Sequence, residues 1–214
     1  MRLLGLAEFR SEKYEEALEL ANKIIERYPP GNVEDHVMVG SIYGLRGDPS
    51  GAIVSFQKAL RISPRNVDTL NRLAAAYRAA GDPAAALAVL VQVPASNRGV
   101  GTYRAIGAAY YALESFDSAA VYYERALQLD EGNADLHYRL GSARLAGGRV
   151  QASVQSLAKA VNLDSTIAGA FRNLGTAYAN LEQYEKAKEM LERLLTLQPD
   201  VSDRDALTQW IQEH

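Results

Sequence analysis

LNRLAAAYRAAGDPAAALAVL, residues 70–90, carries two apolar patterns of helical period on either side of a break. Leu70, Leu73, Ala74 and Tyr77 recur at helical spacing, Gly81-Asp82-Pro83 interrupts them, and Ala86, Leu87 and Leu90 resume the pattern. This predicts helix, tight turn, helix. The breaks after a second helix, Ile62-Ser63-Pro64-Arg65-Asn66 and Leu197-Gln198-Pro199-Asp200, end it with proline and open the next with a capping Asn or Asp. One unit is therefore an antiparallel helix pair.

Outward from this stretch the pair repeats. A small residue stands at Ala17, Ala52, Ala86, Ala119, Ser153 and Ala187, with spacings of 35, 34, 33, 34 and 34. A second column, Gly5, Gly40, Ala74, Gly107, Gly141 and Gly175, keeps the same steps, and Tyr43, Tyr77, Tyr110 and Tyr178 follow their Gly or Ala by three. Three registered columns at a period near 34 mark a helical repeat array.

The best-formed unit shows Val39, Gly40, Tyr43, Gly47, Ala52, Phe56, Ala59 and Pro64; the last is nearly as regular, with Phe171, Leu174, Gly175, Tyr178, Tyr184, Ala187 and Pro199. This pattern resembles the tetratricopeptide repeat. Six units are expected at about 1–32, 33–66, 67–99, 100–133, 134–167 and 168–201, followed by a C-terminal capping helix over 202–214. The resemblance implies an all-α fold, an α-α superhelix or solenoid of about six hairpins. Such hairpins cannot bury their apolar faces alone, so neighbours share a continuous core.

Departures from the pattern mark the unusual places. Met1 falls inside a first helix that lacks its own start, so sequence upstream is expected. Pro94 ends the third unit early and leaves Pro94–Gly101 as a glycine-containing loop, the expected kink. The fifth unit has Arg144 where Tyr is expected and Gly147-Gly148 in its turn, which predicts weaker local packing. Leu207, Trp210 and Ile211 share one face of a final amphipathic helix.

Composition excludes several classes. The 214 residues carry 23 Lys+Arg against 26 Asp+Glu, a net charge of -3, so no basic excess marks a nucleic-acid binder. The longest apolar run is about half of the ~20 residues a spanning helix needs, so no membrane insertion is expected. There is no Cys, hence no disulfide and no thiolate ligand; a soluble chain of this kind suits cytoplasm and periplasm alike.

In the family it resembles, the first helices of the hairpins line a concave groove. Carried over by position, the groove residues include Asn71, Arg72, Arg78, Arg104, Tyr111, Tyr138, Arg139, Arg172 and Asn173, with Leu6 and Phe9 in the first unit. Arg72, Arg104, Arg139 and Arg172 recur in four successive units, a track that suits an acidic or carboxylate-bearing peptide or protein segment. The competing reading pairs these Arg with Asp68 or Asp135 one helical turn away. The family's clamp for chaperone C-terminal carboxylates is not satisfied by any three consecutive units.

No catalytic constellation is present. His36 and His137 fall in a large-residue packing column, and HExxH, GxxxxGK[ST], GxSxG and dinucleotide fingerprints are missing. No metal or cofactor is expected. The resemblance therefore implies a non-enzymatic interaction scaffold or adaptor. Two alternatives stand beside it: a substrate-selecting repeat region of a larger enzyme, and a self-assembling homo-oligomer that exposes an apolar edge at Leu3, Leu4 and Leu6.

Overall fold

The computed structural model describes residues 13–214. Among them lie twelve α-helices and no strand: α1 (Tyr14–Arg27), α2 (Val33–Leu45), α3 (Pro49–Ile62), α4 (Val67–Ala79), α5 (Pro83–Leu90), α6 (Val100–Ala112), α7 (Phe116–Leu129), α8 (Ala134–Ala146), α9 (Val150–Leu163), α10 (Ala168–Asn180), α11 (Tyr184–Leu197) and α12 (Arg204–Glu213). Leu3, Leu4, Gly5, Leu6 and Phe9 lie outside the described residues. The chain divides into two compact units, 1–112 and 113–214. Within each, a helix packs on its chain neighbours, and first helices also meet the first helix of the next hairpin, as α2 with α4, α4 with α6 and α8 with α10. This is the all-α solenoid arrangement.

The small columns exist because the helices of a hairpin nearly touch. A Cβ on Gly40 would lie 2.7 Å from the Phe56 ring, on Gly141 2.5 Å from Leu157 Cγ, and on Gly175 2.8 Å from Leu191 Cδ2. Opposite them Ala52, Ala119, Ser153 and Ala187 are fully buried. The tyrosine column fills the seam between hairpins: Tyr43 packs on Ala17, Ala21, Met38, Val39 and Ile42, and Tyr178 on Leu157, Ala160, Ala170 and Leu174. Tyr77 also accepts a hydrogen bond at its hydroxyl from Gln57 Nε2, 3.0 Å away.

The fifth unit replaces that tyrosine with a polar network. Arg144 donates to Ser156 Oγ at 2.6 Å, to the Ala152 carbonyl at 3.2 Å and to Glu124 Oε1 at 2.8 Å. Glu124 and Gln57 hold the same repeat position, each 20 residues before its partner. Where weaker packing is expected, one guanidinium makes three hydrogen bonds in place of a tyrosine ring.

Helix starts differ between the units. In the first, Asn32, Asp48, Asn66 and Asp82 cap α2 to α5 through their side chains, with proline opening α3 and α5. In the second, Asn133 caps α8, whereas Ser115, Arg149, Ile167, Gln183 and Asp203 make no side-chain cap bond. The Pro94–Gly101 loop lies inside the first unit. Arg98 Nε braces it by donating to the Val93 carbonyl at 2.9 Å.

His36 and His137 are buried in the packing column. Their Nε2 atoms lie 2.7 Å from the Pro30 carbonyl and 2.9 Å from the Glu131 carbonyl; because a carbonyl only accepts, each Nε2 carries a proton. Burial holds the His137 pKa below its ordinary value. At the far end, Val201, Leu207, Trp210 and Ile211 cover Ala168, Phe171, Leu191 and Leu194. Arg172 fixes the start of α12 with two bonds to the Asp203 carboxylate, 2.6 and 3.0 Å.

Candidate functional site

In the first unit the first-helix face opens into a pocket of ≈ 560 Å³. α2 contributes Gly40, Ser41, Gly44 and Leu45, α4 contributes Arg72, Ala75, Ala76 and Ala79, and Ala52 and Phe56 of α3 lie beneath. The pocket exists because the residues lining this seam are small. Leu45 is 61% exposed beside it. A second hollow of ≈ 310 Å³ runs on toward the helix starts, lined by Val33, Glu34, Val37, Met38, Asn66, Asp68 and Thr69. Ser41 and Arg72 line both.

Arg72 is held in place at this junction. Its Nε donates to Asp68 Oδ2 at 2.7 Å and its Nη1 to Ser41 Oγ at 3.3 Å, while Ser41 donates to the Val37 carbonyl. Asn71, half-buried beside it, has an Oδ1 that is buried and accepts no hydrogen bond among the described residues. Arg78, at the end of α4, is exposed, as are Arg104 and Tyr111 on α6.

The second unit repeats the arginine–aspartate pair and changes the contacts around it. Arg139 donates from Nε to Asp135 at 2.7 Å. Burial works against its charge, but Asp135 and then Tyr123 more than restore it, and its pKa is raised. Arg172 is raised as well, by its hydrogen bonds to Asp203, whose own pKa is lowered by the same contact. Asn173 donates to Ser142 Oγ at 2.8 Å. Tyr138 lies over Gly169 so closely that a Cβ there would meet its hydroxyl at 2.6 Å. Arg72, Arg139 and Arg172 thus each carry an aspartate partner. Arg72, Arg139 and Asn173 sit in ladders between adjacent turns or adjacent first helices.

The pocket is not legible in the sequence, because Gly44, Ala75 and Ala79 bear no chemistry of their own. The signal was a lack of bulk at groove positions where Tyr111 and Leu145 stand in later units. Among the described residues no group of His, Asp and Glu could hold a metal ion, and no helix is long and apolar enough to cross a membrane.

Family comparison agrees with this architecture. Models described as "Tetratricopeptide repeat" match residues 1–30, 45–109, 134–167 and 168–201, and one described as "TPR repeat" matches 107–146. The chain belongs to the tetratricopeptide-repeat family. It is 24% identical over 210 residues to the Protein CTR9 homolog of Arabidopsis thaliana, covering 92% of this chain and 19% of that protein. The chain thus spans about a fifth of that relative's length. Among solved structures it is similar to PilW, described as a type IV pilus biogenesis factor, with TM-score 0.86, 16% identity and coverage of 97% and 96% of the two chains. It is also similar to YrrB, described as a TPR protein with an unusual peptide-binding site, with TM-score 0.68, 21% identity and coverage of 92% and 100%. At these identities the likeness to the solved structures is one of fold, and the repeats are of the kind found in protein-interaction scaffolds.

Proposed function

We propose that the chain is a non-catalytic adaptor that holds a partner protein segment on its first-helix face, with the α2–α4 pocket as the principal contact. The observation that carries this reading is the ≈ 560 Å³ pocket with Arg72 fixed at its rim by Asp68 and Ser41. A preformed, mostly apolar cavity with one oriented polar group is what side-chain recognition needs, and a rigid helical template spares ordering cost on binding. Asn71, Arg78, Arg104 and Tyr111 lie on the same unit and would extend the contact. Tyr138, Arg139, Arg172 and Asn173 serve chiefly to hold the second unit together. The aspartate partners weaken the case for an acidic ligand, since each cancels the charge the track was to supply.

A random peptide display library panned on the chain tests this. Enriched peptides should lose binding to Gly44→Leu and to Arg72→Ala while still binding Arg139→Glu. If nothing is enriched, or if Gly44→Leu retains every peptide, the first-helix face is not the binding surface.

A further inference from the structure

Gly44 is a helical glycine that no packing contact explains. In the same helix Gly40 is required, since any side chain would strike Phe56. Around a Cβ placed on Gly44 there is nothing within 4 Å, and its backbone is ordinary helix. A glycine in a helix costs roughly 0.5–1 kcal/mol relative to alanine, and no packing contact here offsets it. What Gly44 does is keep the larger hollow open: a leucine there would project into the space bounded by Leu45, Ala75 and Ala79.

Electrostatics separates the two hollows. The larger is lined mainly by apolar groups, with Ser41 and Arg72 at one side. The smaller holds Glu34 and Asp68 against the single guanidinium of Arg72, which leaves it one negative charge in excess. Asp68 spends one oxygen on Arg72; Glu34 has no partner among the described residues. Between the hollows Arg72 uses Nε and one Nη1 proton internally, which leaves further N–H donors of a side chain that is 45% exposed for a main-chain carbonyl of a crossing chain. Adjacent hollows on one side of an extended peptide accept residues i and i+2, because alternate side chains point the same way.

We infer that the α2–α4 site recognises an extended segment carrying a large apolar side chain two residues from a lysine or arginine. The apolar side chain fills the larger hollow, the cation lies between Glu34 and Asp68, and Arg72 binds the peptide backbone between them. This rests on the adaptor reading above and narrows it to a basic-apolar partner, opposite in charge to the one the arginine column suggests.

The probes are two acetylated, amidated pentapeptides, Gly-Phe-Gly-Lys-Gly and its reversed order, titrated into the isotopically labelled chain and followed by amide shifts. One of them should move Gly40, Gly44, Ala75 and Ala79 together with Glu34 and Asp68. Replacing its Phe by Ala should abolish these shifts, and replacing its Lys by Glu should weaken binding at least tenfold. Gly44→Leu, which has room to fold, should abolish the pocket shifts. The inference is overturned if neither probe moves the pocket amides, if the Phe→Ala probe moves them equally, or if the Glu probe binds as well as the Lys probe. Should library peptides still bind the chain while these probes fail, the adaptor reading survives and only the specificity is wrong; if both fail, the reading falls with it.

Discussion

Ser41 and Ser142 stand three repeats apart, and the same offset lays α2 and α4 beside α8 and α10 residue for residue. Both serines donate to the carbonyl one turn back, and both accept from the next first helix, Ser41 from Arg72 and Ser142 from Asn173. Around this shared bridge the two places diverge. Gly44 corresponds to Leu145, Ala75 to Thr176, Val37 to Tyr138, and Asp68 to Gly169. In the first unit these choices leave two hollows; in the second, Tyr138 lies on Gly169 where the first has a carboxylate. Four exchanges at groove positions therefore distinguish the two seams, with no change in the bounds of the helices beneath.

The sharpest test sets glycine against glycine. Gly141→Val drives a Cβ to 2.5 Å from Leu157 Cγ and 3.2 Å from its backbone nitrogen and is expected to cost about 3 kcal/mol in urea unfolding, the upper range for overpacked cores. Gly44→Leu should cost nothing measurable; equal losses would show that both glycines are structural. Next comes the exchanged pair. Arg144→Ala should lose about 2 kcal/mol, as charged hydrogen bonds to Glu124 and Ser156 are removed at a site only 20% exposed. The double variant Arg144→Tyr with Glu124→Gln copies Tyr77 and Gln57 and should recover most of that loss. A double variant no better than the alanine would break the equivalence of the two solutions.

A smaller effect follows pH. His137 is held neutral by burial, so its folded pKa lies below the unfolded value of about 6.5. Its contribution is complete above that value and is lost as pH falls through the window between the two, because the unfolded chain takes up the proton first. Urea midpoints at pH 7.5 and 5.5 should differ less in His137→Gln than in the parent; an unchanged difference would remove His137 from the account. The least effect concerns caps. Asn66→Ala should cost about 1 kcal/mol, whereas Ser115→Ala, at a start with no side-chain cap bond, should lie within about 0.5 kcal/mol of the parent.

The fold was legible because close approach writes itself into composition: Gly40, Gly141 and Gly175 can be nothing larger, and their period gives the hairpins. Ion pairs one helical turn apart, Arg72 with Asp68 and Arg139 with Asp135, were legible for the same local reason. The contacts spanning 31 residues, Arg72 to Ser41, Asn173 to Ser142 and Arg172 to Asp203, were not, since they depend on how successive first helices lie against each other. The exchange of Tyr77–Gln57 for Arg144–Glu124 became visible only once the seam was placed. The pocket was least legible, because side chains that are missing leave no motif.

The Arg172–Asp203 bond has a consequence for how the second unit opens. No residue of α12 is fully buried, and its start is tied by an ion pair whose side chains are 35% and 43% exposed. Such a contact is screened by salt, so the grip on α12 loosens as ionic strength rises while α10 beneath it is untouched. Amide protons of α12 will then exchange with solvent through detachment of that helix alone, and those of α10 only when the hairpins themselves come apart. Within the second unit α12 thereby samples solvent before the hairpin it covers.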